Sequence, residues 1–408
     1  MQAHTPLARI HFVAAIAISF PIADSRAMQP DPTEAVALAQ SRPNLFEIDL
    51  GAVSQFTRNI RKLVGAEATI FAALKCNAYG FGLIPVARTV LGAGANAVAV
   101  VDGGDAIRLR EAGITAPILV YPGSVVSAQT VHAVEAYDLV PTVVDLDSAA
   151  LFSRHATRVL SVAVKVDVGQ ERLGFPAEMA AEAIAAISRM RNLRVEIVNT
   201  HPNVPSPPSS EYLDWQLGRF AAVCQEVKSR GIDIPVRMFA SSKLLAILGR
   251  LEFNAVDPGQ MFFGPFKEQG DVPWPATRQA FRRLSSRLIH VRTLERREFL
   301  AEAPFPIRAG VRMGVIPIGS ADGALCLNAG AVLVRGQKAP VLGGPSLEHM
   351  RIDLSGLPDA AIGDEVVLIG ERDGEAIPPE AVVARHRLAR VSDLAMAVGA
   401  RIPRRYIE

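Results

Sequence analysis

From about residue 46 to about residue 275, short apolar runs rich in β-branched residues alternate with longer segments whose apolar residues recur at helical spacing. The predicted strands are Phe46–Leu50, Thr69–Leu74, Ala97–Val101, Pro117–Tyr121, Leu139–Val144, Ser161–Asp167, Val195–Thr200, Pro235–Phe239 and Asn254–Val256. Between them, Val86–Leu91, Asp105–Ala112, Ala177–Met190 and Glu211–Ser229 carry the helical pattern most clearly. Strands that alternate with helices predict a parallel sheet covered by those helices. Setting the first run aside leaves eight strands, the number that closes a parallel β/α barrel. An open doubly wound sheet is the other arrangement of such units. No glycine-rich dinucleotide loop with the right flanks supports it.

After about residue 280 the pattern changes to short runs bounded by Gly, Pro and Asp: Arg287–Thr293, Gly310–Pro317, Ala331–Val334, Lys338–Leu342, Met350–Asp353 and Glu365–Ile369. These predict an antiparallel β-domain. The Gly- and Pro-rich stretch Gln269–Thr277 reads as the linker. The expected architecture is therefore α/β, a parallel (β/α)8 barrel over residues 44–277 followed by a C-terminal antiparallel β-domain over residues 278–408.

Composition changes this picture little. Half of the 408 residues are hydrophobic, enough for a sizeable core, and 43 Lys and Arg against 41 Asp and Glu leave a net charge of +2. That balance gives no electrostatic reason to expect nucleic acid or an anionic membrane as a partner. Cys76, Cys224 and Cys326 are too scattered for a disulfide framework or a metal site, so no metal is expected. Residues 1–27 stand apart. Arg9, the apolar run Ile10–Ala23 and the small-residue site Ser25-Arg26-Ala27 read as a secretory signal peptide. A disordered extension ahead of a true start at Met28 is the other reading. The first predicts a periplasmic or secreted protein, the second a cytoplasmic one.

Polar residues recur where strands end. The first of the eight strands runs into Lys75, the fifth into Asp167 and on to Arg172, the sixth into His201, the seventh into Ser241-Ser242 and the eighth into Asp257. In β/α barrels the chemistry sits at those C-terminal ends, so the recurrence predicts one shared mouth. A lysine at a barrel rim in low-polarity surroundings is a Schiff-base candidate, although by position alone it is more often one that reaches to solvent. His201, Arg172 and Asp257, each taken singly, read as a rim residue, an ion-pair partner and a turn former.

Taken jointly the motifs say more. Ala73-Leu74-Lys75-Cys76-Asn77-Ala78-Tyr79-Gly80-Phe81-Gly82 resembles the cofactor-lysine motif of alanine racemases, which hold pyridoxal phosphate (PLP). Val166–Gly174, with Arg172-Leu173-Gly174, and Asn199-Thr200-His201 are similar to two further elements of that family. Ser320-Ala321-Asp322-Gly323 and Arg401-Ile402-Pro403-Arg404 match its late motifs more loosely. The matches run in family order from about residue 44 to about residue 406.

The resemblance implies that Lys75 carries PLP as a Schiff base and moves the α-proton of an amino acid. It implies that Tyr79, Ser242 with its neighbour Ser241, and the backbone at Gly259 hold the phosphate. Arg172 is expected to pair with the cofactor's phenolic oxygen or the substrate carboxylate, and His201 to pack beside the ring. Lys165 matches a position that is carbamylated in some members. Leu347 would face the substrate, and the family implies a homodimer with shared active sites.

Three departures qualify the likeness. Ser320 stands where the family has a tyrosine base, and a serine hydroxyl is too weak an acid–base group to replace it unaided. Asp257 stands where the family has an arginine facing the pyridine nitrogen; a carboxylate keeps that nitrogen protonated and deepens the electron sink. Ser392-Asp393 replaces a tyrosine–glutamate pair at the phosphate, and the entry segment reads Pro345-Ser346-Leu347-Glu348-His349. These departures leave three readings open: a racemase with altered bases (water, Asp322 or His349 serving the second face), a PLP enzyme of another reaction type such as a decarboxylase or lyase, and a non-catalytic PLP-binding homologue.

Overall fold

The computed structural model describes residues 42–239, 241–249, 251–264, 278–295 and 310–408. The possible signal peptide and the linker Gln269–Thr277 lie outside them.

Eight parallel strands close on themselves. Thr69–Ala73, Ala97–Val100, Ile118–Val120, Val140–Val143, Leu160–Asp167, Leu193–Asn199, Val236–Met238 and Ala255–Val256 pair in chain order, and the last returns to the first through Ala255↔Thr69. The predicted barrel is present, and the short final strand closes it with two residues.

Side chains alternate along a strand, so residues two apart share a side. Phe71, Ala97, Ala99, Leu119, Ala163, Ile197, Met238 and Ala255 form one buried cluster, separate from the larger core under the helices. This is the barrel interior. Extending each strand by two residues in the same parity reaches Ala73, Tyr121, Lys165, Asn199 and Asp257. The interior is thus apolar below and polar at its C-terminal end, which is where the sequence placed the chemistry.

The covering helices form for local reasons. Asp49 accepts from the Ala52 N–H at 2.8 Å and caps Leu50–Val64. Val53, Phe56, Ile60 and Val64 fall on one stripe of that helix and are buried, each such burial contributing roughly 1.5–3 kcal/mol. Arg61 and Lys62 lie in its last turn, where cations suit the helix dipole. Ser127 and Thr130 form a capping box at the start of Ala128–Ala136.

The remainder is a mostly antiparallel β-domain. Its larger sheet runs Gln337–Pro340, Ala331–Val334, Glu365–Arg372, Phe281–Arg287, Leu45–Asp49, Arg404–Ile407, with Glu375–Ile377 paired to Glu365–Arg372. A three-stranded sheet joins His290–Thr293, Arg312–Ile316 and Met350–Asp353. The first strand of the chain therefore belongs to this sheet. It pairs antiparallel with Phe281–Arg287 and parallel with Arg404–Ile407. The buried Glu47 carboxylate binds Arg283 on one side and Arg405 on the other, tying the three strands together. Burial pushes Glu47 up, but the two guanidiniums outweigh it and hold the carboxyl below its usual range.

The sequence pattern missed Phe281–Arg287 and Arg404–Ile407 because they are rich in Arg and Ser. Partners found only in the fold explain those residues. Ser286 donates to Asn44 at 2.7 Å, while Arg283 and Arg405 meet Glu47.

Candidate active site

The lysine turn is built by an unusual backbone. Cys76, Asn77, Ala78 and Tyr79 all have φ between 52° and 55°, one turn of left-handed helix immediately after Lys75. Each such residue costs roughly 1–2 kcal/mol, so the surroundings must impose the turn. The β-domain does this from the same chain. A Cβ on Gly80 would lie 2.2 Å from Ala395 O, and one on Gly82 1.9 Å from the Tyr406 hydroxyl. Both positions need glycine because the helix Val391–Ala397 and the last strand press against them. The Asn77 side chain accepts from the Leu83 N–H at 2.8 Å and starts the next helix.

Lys75, Tyr79, Arg172, His201, Ser241, Ser242, Asp257 and Gly259 all line one cavity of about 560 Å³ at the barrel mouth. Lys165 joins them. The sequence identified these residues from five separate strands, and the fold brings them together. Leu347 is not among them: it is exposed on the β-domain, where Ala321 N donates to its carbonyl beside Ser320.

The Arg172 loop is held by Asp167, whose Oδ1 accepts from the N–H groups of Gly169, Gln170 and Glu171 and whose Oδ2 accepts from Arg172 N at 2.9 Å. Burial raises the Asp167 carboxyl, but these four donors outweigh it and keep it below its usual range. Asp167 is therefore a loop organiser, and the Arg172 side chain is left at the cavity. Tyr212 adds a hydrogen bond to Gly169 O at 2.7 Å.

At the opposite side Ser242 opens the helix Ser242–Leu248, with Ser241 as an N-cap that makes no side-chain hydrogen bond to it. Ser242 Oγ accepts from Gly259 N at 2.8 Å and Met261 N at 3.3 Å. The Gly259 N–H thus faces Ser242, and the serine hydroxyl hydrogen remains to donate into the cavity. A Cβ at Gly259 would lie 2.3 Å from the Tyr79 hydroxyl and 3.0 Å from Ala73 O.

The electrostatics of the floor centre on Asp257. It is buried, Tyr121 donates to its Oδ2 at 2.7 Å, and its Oδ1 is buried with no hydrogen-bond partner among the described residues. Burial pushes its carboxyl up to about 6. Burial pushes the Tyr79 and Tyr121 phenols up, with Asp257 adding to both, and pushes the Lys165 ammonium down. His201 is lowered to about 4 by burial and by Lys165, Lys75 and Arg172. Its imidazole is neutral at pH 7, an uncharged surface rather than an acid.

Several lining residues escaped the sequence reading. Tyr121 ended a predicted strand and passed as apolar; its inward parity was the available signal. Lys243, which donates to Val204 O and Pro205 O, and Arg390, which donates to the Gln260 side chain, also face this cavity. Arg390 comes from 130 residues downstream and carried no sequence signal. Asp322 departs from its expected place as a second base: it is fully buried, accepts from Gly319 N at 3.0 Å and binds Arg401.

A lysine ending the first strand of a closed β/α barrel, with tyrosine, arginine, histidine and serine side chains around the same mouth, is the arrangement of a PLP-dependent barrel enzyme. Comparison with known proteins then narrows the class. Residues 48–266 match the model of the alanine racemase N-terminal domain and residues 281–406 that of the C-terminal domain, and the chain belongs to the alanine racemase family. It is 30% identical to the alanine racemase of Methanococcus maripaludis over 90% of this chain and 99% of that one. It is 31% identical to that of Desulfovibrio desulfuricans, again over 90% and 99%. Among solved structures, the alanine racemase of Bacillus anthracis with bound L-Ala-P superposes with a TM-score of 0.78 at 25% identity, covering 90% of this chain and 95% of the other. That of E. faecalis gives 0.77 at 28%, covering 90% and 99%.

Proposed function

We propose that this protein is a PLP-dependent amino-acid racemase acting on alanine or a related amino acid, with Lys75 as both cofactor-holding lysine and base. The observation that carries the reading is the convergence of Lys75, Tyr79, Arg172, His201 and Ser242 on one cavity, in the chain order of the family whose two domain models it matches. The residues fit the cofactor: Lys75 for its aldehyde, Tyr79, Ser241, Ser242 and Arg390 for its phosphate, with Gly259 N–H holding Ser242 in place, and Asp257 for its ring nitrogen.

When bound, PLP supplies an electron sink that acidifies the α-hydrogen of an amino acid. The chain's own groups do the rest. Lys75 Nζ takes the α-proton from one face. Arg172 orients the substrate carboxylate as a bidentate donor. His201, neutral, would pack beside the ring and keep water from it. A homodimer would bring Ser320 and Leu347 of a second copy to the mouth. With Asp322 bound to Arg401, a water or the exposed His349 serves the second face. The barrel would hold the cofactor, and the β-domain, which takes Leu45–Asp49 as well as the strands after residue 280, would close the site of its neighbour.

Incubation of the purified protein with L- and D-alanine in deuterium oxide tests this. Deuterium enters the α-position from both enantiomers while chirality is lost. Asp257 also favours a second reading, a PLP enzyme of another reaction type, because a deeper sink suits decarboxylation or elimination. Loss of carbon dioxide or of a side-chain fragment, with no chiral interconversion, would decide for it.

A further inference from the structure

Tyr121 sits at the end of the third barrel strand, and Asp257 follows the eighth. They meet inside the barrel across 136 residues of chain. Their contact is directional, with the Tyr121 hydroxyl donating to Asp257 Oδ2 at 2.7 Å. Tyr121 is fixed from both sides: its N–H donates to Val100 O at 2.8 Å, and its ring packs on the apolar interior cluster. Asp257 is 8% exposed, and its second oxygen, Oδ1, is buried with no hydrogen-bond partner among the described residues. A buried carboxylate with one oxygen bonded and one open carries an unmet demand for a donor. The open oxygen marks where a bound molecule's N–H completes the shell.

We propose that Tyr121 is a positioning residue that holds Asp257 as the ionised partner of the cofactor's ring nitrogen and thereby sets that nitrogen's protonation. The inference rests on the assignment of Asp257 to the ring nitrogen. Burial opposes the charge on Asp257. Of the groups that favour it, the Tyr121 hydroxyl comes first, ahead of Lys165 and Lys75, while Tyr79 lies close enough to feel the carboxylate. The two lysines act by charge alone from the first and fifth strands. The Asp257 backbone N–H adds a smaller contribution, and Tyr121 is the side chain that donates to the carboxylate and orients it. Without the hydroxyl, a proton shared between carboxylate and ring nitrogen moves toward the carboxylate, and the ring loses its positive charge.

The test uses holoenzyme carrying PLP labelled with nitrogen-15 in the ring, as wild type, Tyr121→Phe and Asp257→Asn. The nitrogen chemical shift is followed against pH, with cofactor stoichiometry and thermal melting as fold controls. In the wild type the ring nitrogen is protonated at neutral pH. Tyr121→Phe lowers the midpoint of its titration by about one to two pH units, the loss expected for one hydrogen bond to a charged group. Ring-fluorinated tyrosine at position 121 keeps the size, strengthens the donor and raises the midpoint. If Asp257→Asn shifts the titration while both Tyr121 replacements leave it unchanged, the Tyr121 inference is overturned and the Asp257 assignment survives. An unprotonated ring nitrogen in the wild type, or one titration shared by all the proteins, overturns the assignment itself.

Discussion

Replacing Asp257 with Asn in the cofactor-free protein removes a buried charge while keeping shape and one acceptor, so it isolates what that charge does to the fold. The carboxyl has an ordinary value of 3.8 and is pushed up to about 6 by burial. A group whose folded value is raised binds its proton more tightly in the folded state. The contribution of Asp257 to stability is therefore fully present below 3.8, is lost as pH rises to about 6, and stays lost above it. A shift of about two units, at 1.36 kcal/mol each, amounts to about 3 kcal/mol. The Asn variant lacks this penalty. Any cost of its orphaned amide is the same at every pH, so the pH dependence of the difference reports the charge alone. Urea unfolding followed by circular dichroism, at intervals from about pH 4 to about pH 8, measures it. Relative to wild type, Asp257→Asn gains about 2.5 kcal/mol between about pH 4 and about pH 8, the rest of the swing lying below the range. Parallel curves for the two apo-proteins would refute the account of a strained, ionised Asp257 awaiting a donor.

The purified protein is yellow, and borohydride fixes the cofactor to Lys75, as peptide mapping reads; a Lys75→Ala protein fixed at the same stoichiometry contradicts the assignment. Arg390→Ala weakens PLP binding by about one to two decades, the loss of a charged hydrogen bond to phosphate, in a fluorescence titration of apo-protein that still melts cooperatively. Unchanged affinity would exclude Arg390 from the phosphate site. Sedimentation at micromolar concentration finds a dimer, and Leu347→Asp lowers activity or dimerisation; a fully active monomer excludes shared sites.

Much of the architecture was legible along the chain. Eight barrel strands showed as apolar runs because a strand covered on both faces admits few polar residues until it reaches the mouth. The same logic exposed Lys75, Arg172, His201, Ser242 and Asp257 as the polar ends of otherwise apolar runs, and short motifs around the lysine supplied the family. Strands in the β-domain were less visible. Phe281–Arg287 carries Arg283 and the buried Ser286, whose compensation by Glu47 and Asn44 is remote in sequence.

Only the tertiary structure decided which polar groups face one another. The assignment of Leu45–Asp49 to the β-domain sheet depends on Glu47 finding Arg283 and Arg405, 236 and 358 residues away. Periodicity tells each strand which side is apolar, a property of neighbouring residues. It says nothing about which remote side chain will satisfy a buried charge. Asp257 could be read as a departure from the family, but its bond to Tyr121, its open oxygen and the arrival of Arg390 at the cavity are properties of closure. They arise because a ring of eight strands brings the third and the eighth within hydrogen-bonding reach, and because the β-domain of the same chain folds back onto the lysine turn.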